Sequence, residues 1–364
     1  MIYIAGTSIA LFISALLFKK RKKSKSDVIL LFWMLLLAAH LFLYYLNKFG
    51  DLPSQLIGVH LPIPLLQAVF LYFYVASVTS QFPKNKIIVA AHLLPTLLSY
   101  LFLIPFFLLS TEERIELIEN HGKDYGAYNT INVLSIYASG IFYIIWSSLL
   151  LKKHKKNILD QFSDIEEINL KWLQLLIVGI SVIWFIVIFS KNSEYIFTGV
   201  AIFVILIGFF GIQQKAIFSP ELLIVKNPND VAIKTEEKKE KYATSGLSNE
   251  VANEKYKYLI SKISEDCYYL ENNLSLNDLA KKLDMSPNYL SQIINKKEGK
   301  NFYDFINSFR VEEFKRLIAN PKNKQYTLLA LAYDCGFNSK SSFNRSFKKH
   351  SGITPSQYVA SVKE

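Results

Sequence analysis

The sequence predicts an all-α protein made of an N-terminal seven-helix transmembrane bundle, a linker, and a C-terminal helical domain with two helix-turn-helix units. Three observations carry that prediction. The chain of 364 residues is 51% hydrophobic and 14% aromatic, with a mean hydropathy of +0.22, high for a water-soluble protein of this size. Its apolar residues fall in seven separate runs within residues 1–212, and its basic excess falls in the last third. The C-terminal third repeats a helical period of apolar residues, broken by N-cap residues, prolines and glycines. The same composition excludes a disordered chain. Two cysteines, Cys267 and Cys335, are too few for a disulfide scaffold and suit a reducing compartment.

The runs are Ile2–Phe18, Val28–Leu46, Leu56–Ser80, Ile87–Leu109, Ile131–Leu151, Trp172–Ser190 and Tyr195–Ile212, none of which contains Asp, Glu, Lys or Arg. Each is close to the ~20 residues a helix needs to cross the hydrocarbon core. A large soluble helical core is the competing reading, but it would leave these helices without a polar face for water. In the third run His60, Pro62, Pro64 and Gln67 crowd the first half, so its helix is expected to begin near Leu65.

Basic residues between the runs set the orientation. Lys19–Lys25, Lys84 with Lys86, and Lys152–Lys171 hold 13 Lys and Arg, whereas the alternate connections hold 4: Lys48, Arg114, Lys123 and Lys191. The positive-inside rule then places the N-terminus outside and the basic loops inside. Seven crossings leave everything after Ile212 in the cytoplasm of an inner-membrane protein. The first run has its cations after the apolar stretch, so it is expected to be an uncleaved helix. The outer segment Ser110–Thr130 is acidic and reads as a solvated loop, with cation or basic-ligand binding as the alternative. His40, His60, Gln67, His92 and Asn132 are the polar groups available for an intramembrane pocket, but they lack metal-ligand spacing, and hydrogen bonding between helices accounts for such residues equally.

Residues 213–254 form the linker. The stretch Asn227–Asn253 is rich in Lys, Glu, Asn and Ser, and as a flexible chain would span about 30 Å; a helical stalk is the alternative.

Residues 255–364 form the third domain, with 18 Lys and Arg against 11 Asp and Glu. Such an excess points to a polyanion, either nucleic acid or an anionic lipid surface. A first helix is expected over Lys255–Glu271. Ser275 then caps a short helix through Leu276, Leu279, Ala280 and Leu283, and Asp284-Met285 makes a tight turn. Ser286 caps the next helix with Pro287 at its first position. There Leu290, Ile293 and Ile294 face inward, leaving Asn288, Ser291, Gln292 and Asn295 outward: a helix-turn-helix pattern. The helix Phe302–Ala319 follows, with Phe302, Phe305, Phe309 and Leu317 expected inside and Arg310, Lys315 and Arg316 outside. The pair then repeats. Thr327 caps a helix containing Leu328, Leu331 and Ala332, Gly336 supplies a left-handed stop, and Ser339 caps a helix in which Phe343 and Phe347 pack inward. Its other face carries Lys340, Ser341, Asn344, Arg345, Lys348 and Lys349, with no acidic residue. Donors near the start and cations along the length suit base edges and phosphates.

The segment Leu331–Tyr358 (LAYDCGFNSKSSFNRSFKKHSGITPSQY) resembles the signature of the AraC/XylS transcription regulators, and Leu276–Phe314 resembles that family's first helix-turn-helix and connecting helix. The resemblance covers the last 105 residues or so. It implies seven helices with two helix-turn-helix units joined by a rigid helix, each offering a recognition helix to successive major grooves about 34 Å apart. Carried over by position, the base-facing residues are Asn288, Ser291 and Gln292 in the first unit and Lys340, Ser341, Asn344 and Arg345 in the second. Asn295, Lys348 and Lys349 are the phosphate contacts. Many family members have a soluble sugar-binding barrel at the N-terminal side; this chain instead resembles the membrane-anchored members.

The expected function is that of a membrane-integral one-component regulator binding promoter or operator DNA, with the membrane region as sensor or anchor. Its expected partners are double-stranded DNA, the lipid bilayer, RNA polymerase, a second copy of the chain, and a small-molecule or membrane signal. Proteolytic release through the linker is a variant. A membrane receptor or transporter-like protein whose tail binds another protein is the competing class. Phosphate loops, metalloprotease and serine-hydrolase motifs are missing from the sequence, so no catalytic residue, metal or cofactor is expected. Cys335 and Cys267 are both expected to be buried structural thiols, and His350 to lie near a phosphate or in solvent.

Overall fold

A computed structural model describes residues 1–50, 52–119, 126–164, 171–190, 192–213 and 249–363. Among these residues the chain is helical, with no strand and one isolated antiparallel bridge, Phe162 to Ser275. It divides into two compact units: Met1–Lys152 with Leu170–Asn227, and Lys153–Asn169 with Pro228–Glu364.

The first unit holds α1 (Ile2–Lys19), α2 (Lys25–Phe49), α3 (Ile63–Val78), α4 (Lys86–Phe102), the short α5 (Ile104–Phe107), α6 (Thr111–Glu119), most of α7 (Gly126–Leu159), α8 (Lys171–Phe189) and α9 (Ser193–Gln213). Among the described residues four segments are long and apolar enough to cross a membrane: Ile2–Lys19, Lys25–Phe49, Gly126–Leu159 and Trp172–Phe189. Two further apolar helices, Ile63–Val78 and Lys86–Phe102, are shorter, and α9 is apolar over Ser193–Phe209. Prolines explain two of the short ones. Helix α3 starts at Ile63 with Pro64 in its first turn, two residues earlier than Leu65, because proline fits where the N–H has no helical partner. Helix α4 ends at Phe102, because Pro105 has no N–H to continue the hydrogen-bond ladder back to Leu101 and sits instead in the first turn of α5. Within the acidic segment Thr111–Glu119 is helical and not a loop, with the Ser110 hydroxyl accepting from the Glu113 N–H at 3.2 Å.

Side chains within this unit pack as close neighbours. Tyr44 stacks on Phe197 at 3.9 Å and meets Tyr3 edge-on at 5.1 Å, joining α1, α2 and α9. A Cβ on Gly6 would stand 3.2 Å from the Ala201 Cα, so the missing side chain lets α1 approach the α9 backbone. Three of the polar groups, Gln67, His92 and Asn132, bond between helices. The Trp33 indole donates to Gln67 Oε1 at 2.9 Å, His92 Nδ1 lies 2.8 Å from the Tyr143 hydroxyl, and Ser99 donates to Asn132 Oδ1 at 3.0 Å. No cluster of metal-ligating side chains occurs among the described residues.

The second unit contains α10 (Asn249–Asp266), α11 (Leu276–Lys282), α12 (Pro287–Glu298), α13 (Phe302–Ala319), α14 (Leu328–Asp334), α15 (Lys340–Ser351) and α16 (Pro355–Lys363). Helix α10 differs from the expected Lys255–Glu271 at both ends. It begins at Asn249, inside the segment read as linker, with Ala252 fully buried, and it stops at Asp266 because Cys267 adopts φ +50°. The rest of the expected linker lies outside the described residues.

Two cores share one helix. Leu259 and Ile263 of α10, Leu276 and Leu279 of α11, Leu290, Ile293 and Ile294 of α12, and Phe302, Phe305 and Ile306 of α13 form the first. Val311 and Phe314, further along α13, join Leu331, Ala332, Cys335, Phe337, Phe343 and Phe347 in the second. Cys335 is buried as expected, whereas Cys267 is half-exposed. The largest departure is Arg310. Expected outside, it is 1% exposed, and its guanidinium donates to the carbonyls of Tyr269 (2.7 Å) and Glu271 (2.7 Å). Burial lowers its pKa to about 10, so it remains charged at neutral pH.

Candidate nucleic-acid interface

The two expected recognition helices are α12 and α15, and local signals fix both. Ser286 caps α12 by accepting from the Tyr289 N–H at 3.3 Å, and Gly299 ends it at φ +64°. Ser339 caps α15 through the Ser342 N–H at 3.1 Å, and Gly352 ends it at φ +76°. Each helix follows a tight turn from its partner: Asp284, at φ +51°, sits between α11 and α12, and Gly336, at φ +89°, between α14 and α15.

On α12, Asn288 and Gln292 are exposed and Ser291 is half-buried. Asn295 turns back on its own helix, its amide donating to the Ser291 carbonyl at 2.9 Å and hydroxyl at 3.3 Å. The last turn carries Lys296 and Lys297, cations suited to a helix C-terminus.

On α15, Lys340, Ser341, Asn344, Arg345, Lys348 and Lys349 are exposed, while Ser342, Phe343, Ser346 and Phe347 are buried. Tyr303 of α13, which the sequence did not single out, organises this helix. Its buried hydroxyl lies 3.1 Å from Ser342 Oγ and 3.2 Å from Ser346 Oγ, and it accepts from Arg345 Nη2 at 3.0 Å. The Arg345 guanidinium also lies over the Tyr303 ring, 5.5 Å from its centroid. One donor is thus spent on orientation, while the planar fork keeps four N–H groups for a ligand. Asp304, next in sequence, takes an ion pair from Lys349, so Lys348 and Lys340 are the less neutralised cations of this face. His350 is half-buried, and burial followed by the nearby Lys300 pushes its pKa down, leaving it neutral at pH 7.

The outward set on each helix therefore combines amides and hydroxyls with cations, mounted on a buried apolar face. The only signal that could have found Tyr303 is its position: an aromatic at the second residue of α13, beside two others that enter the first core.

Residues 279–361 match the Helix-turn-helix domain family. The chain is 32% identical over 111 residues to the uncharacterized HTH-type transcriptional regulator YtdP of Bacillus subtilis, covering 30% of this chain and 14% of that protein. It is 29% identical over 91 residues to the Msm operon regulatory protein of Streptococcus mutans, covering 25% of this chain and 32% of that protein. The chain thus spans less than a third of the length of these relatives. Among solved structures, a Listeria innocua protein of unknown function is 30% identical, aligned over 29% of this chain and 94% of that one with a TM-score of 0.26. With its paired, capped helices and the family match over 279–361, the C-terminal part of the chain belongs to the helix-turn-helix domains of AraC type.

Proposed function

We propose that the protein is a membrane-integral transcription regulator that binds promoter or operator DNA through α12 and α15. In this reading Asn288, Ser291, Gln292, Lys340, Ser341, Asn344 and Arg345 meet base edges, and Asn295, Lys348 and Lys349 meet phosphates. The observation that carries it is the uninterrupted polar and basic face of α15, whose Arg345 is pre-oriented by Tyr303. The matched domain and the regulators it resembles belong to a class that acts by binding, so no catalysis is assigned.

The membrane half rests on its exposed apolar surface. Val178, Val182, Phe185 and Phe189 recur at helical spacing along α8, each more than half exposed, which suits lipid and is costly in water. The seven apolar runs are the support for seven crossings, and the 13-to-4 division of basic residues is the support for an outside N-terminus and a cytoplasmic C-terminal domain. The bundle acts as sensor or anchor, and signal-dependent packing or pairing of chains alters how two domains are presented to adjacent sites. RNA polymerase contact and proteolytic release belong to the same reading.

The test is genome-wide crosslinked DNA occupancy of the full-length protein, with cell fractionation, beside a Lys340→Ala/Asn344→Ala variant whose altered side chains are both exposed. Discrete peaks that vanish in the variant, with intact protein in the membrane fraction, support the proposal. Absence of specific peaks across growth conditions overturns it in favour of a protein-binding tail.

A further inference from the structure

Within the second unit, the seat of Arg310 is completed by residues far away in sequence. The segment Lys153–Asn169 begins with the last turns of α7 and continues toward α8, yet its tripeptide Gln161-Phe162-Ser163 is built into the helix-turn-helix domain. The Leu276 N–H, an orphan donor in the first turn of α11, donates to the Gln161 carbonyl at 2.8 Å. The Ser163 N–H and hydroxyl both donate to the Leu274 carbonyl, at 3.1 and 2.7 Å. The Ser163 carbonyl accepts from Asn307 Nδ2 at 3.1 Å and Arg310 Nη1 at 3.3 Å, and its hydroxyl oxygen accepts from Arg310 Nη2 at 3.1 Å. Ser163 and Asn307 are fully buried.

The place of contact matters as much as its quality. Arg310 stands where the two helix-turn-helix units meet: its guanidinium bonds carbonyls of 269–272, which lead into α11, and lies 5.8 Å from the ring centroid of Phe337, which leads into α15. Asn338 adds a 2.8 Å bond to Asn273 across the same joint. The described hydrogen bonds of the tripeptide involve none of the outward residues of α12 or α15.

We infer that Gln161–Ser163 is a built-in docking peptide for the helix-turn-helix domain, seated at the joint between its two units and leaving the DNA-facing helices open. The peptide is bound by backbone pairing with 274–276 and by the Asn307–Arg310 pair. Arg310 also bonds Tyr269, Glu271 and Asn307, so undocking of the tripeptide leaves its guanidinium with acceptors. A shift of the α7–α8 connection is thereby felt where the angle between the units is set. The docking itself does not depend on the DNA-binding proposal; its use as a coupler does.

The geometry supplies its own trap. Phe162 and Ser275 form a pair without direct hydrogen bonds between them, flanked by those of Ser163 and Leu276. Such pairs have Cα atoms about 4.5 Å apart, within the disulfide range. The experiment uses the full-length chain in proteoliposomes, carrying Cys267→Ser, Phe162→Cys and Ser275→Cys and a protease site inserted between residues 227 and 248. After mild oxidation and cleavage, most of the two fragments are expected to stay joined on a non-reducing gel. Adding Ser163→Pro, which removes one N–H donor, is expected to slow the crosslink at least tenfold, about 1.4 kcal/mol of docking. Free fragments despite accessible thiols, or crosslinking indifferent to Ser163→Pro, overturn the docking. Capture of sheared host genomic DNA is then compared in the oxidised and reduced states. Capture retained within about twofold, small beside the tenfold that 1.4 kcal/mol represents, supports an open DNA face. Loss on oxidation overturns that part of the inference. No specific capture in either state, with the disulfide formed, sinks the DNA-binding proposal and leaves the docking standing.

Discussion

Gly336→Ala should damage the second helix-turn-helix unit far more than Gly299→Ala damages the first, although both glycines end a helix in the left-handed region. At Gly299 (φ +64°) a Cβ meets nothing within 4 Å, so only the backbone preference is lost, about 1–2 kcal/mol. At Gly336 (φ +89°) the new Cβ would lie 2.8 Å from the carbonyl oxygens of both Leu270 and Tyr269. Those oxygens are main-chain atoms and cannot swing away. The Tyr269 carbonyl also accepts from Arg310 Nε at 2.7 Å, so relief of the clash loosens a charge-assisted hydrogen bond worth about 1.5–3 kcal/mol. The sum is about 2.5–5 kcal/mol for Gly336→Ala, about sixtyfold or more in the opening equilibrium. Hydrogen exchange on the full-length protein reads this directly: amides of α15 should lose protection by that factor in Gly336→Ala, and those of α12 by only about tenfold in Gly299→Ala. Equal losses, within about 0.5 kcal/mol, would refute the steric reasoning.

Three further outcomes follow from the same contacts. Tyr303→Phe removes the hydroxyl that receives Arg345 and bridges Ser342 and Ser346; specific DNA affinity should fall about three- to tenfold, near 1 kcal/mol, with helix content unchanged by circular dichroism. Lys348→Ala should lower the slope of log affinity against log salt by about 1, whereas Asp304→Asn should raise both affinity and slope by releasing Lys349, as filter binding across a salt series would show. Burial pushes the Cys335 thiol up to about 12, so iodoacetamide at pH 8 should label half-exposed Cys267 and leave Cys335 unmodified until the domain unfolds, as peptide mass spectrometry would record.

What could be read in the sequence was what local chemistry decides. Ser275, Ser286, Thr327 and Ser339 each cap the helix expected of them, and Phe302–Ala319 runs between its expected ends, because a cap or a terminating Asn-Pro acts within one turn. The apolar runs likewise fall on helices, since composition alone dictates burial away from water. Arg310 was illegible for the opposite reason. Its burial is decided by carbonyls of 269–272 and by Ser163, 147 positions away, and a helical wheel holds no information about either. The same holds for Tyr303, whose importance lies in partners 39 and 43 residues downstream. The start of α10 at Asn249 was hidden by its polar composition, which resembles a linker until tertiary burial of Ala252 selects the helix.

If the protein binds DNA as proposed, helix α13, which enters both cores, has a consequence for how its target sites can change. Its 18 residues span about 27 Å, with Phe302 and Phe305 held in the first core and Val311 and Phe314 in the second, so it works as a ruler of fixed length. For an operator read by both units, base substitutions are taxed one contact at a time. Insertion or deletion of a few base pairs between the half-sites instead rotates one site away from its reader by about 34° per base pair, and the whole contribution of that unit disappears. Binding sites in the genome should therefore vary freely in sequence at weak positions while their internal spacing stays constant.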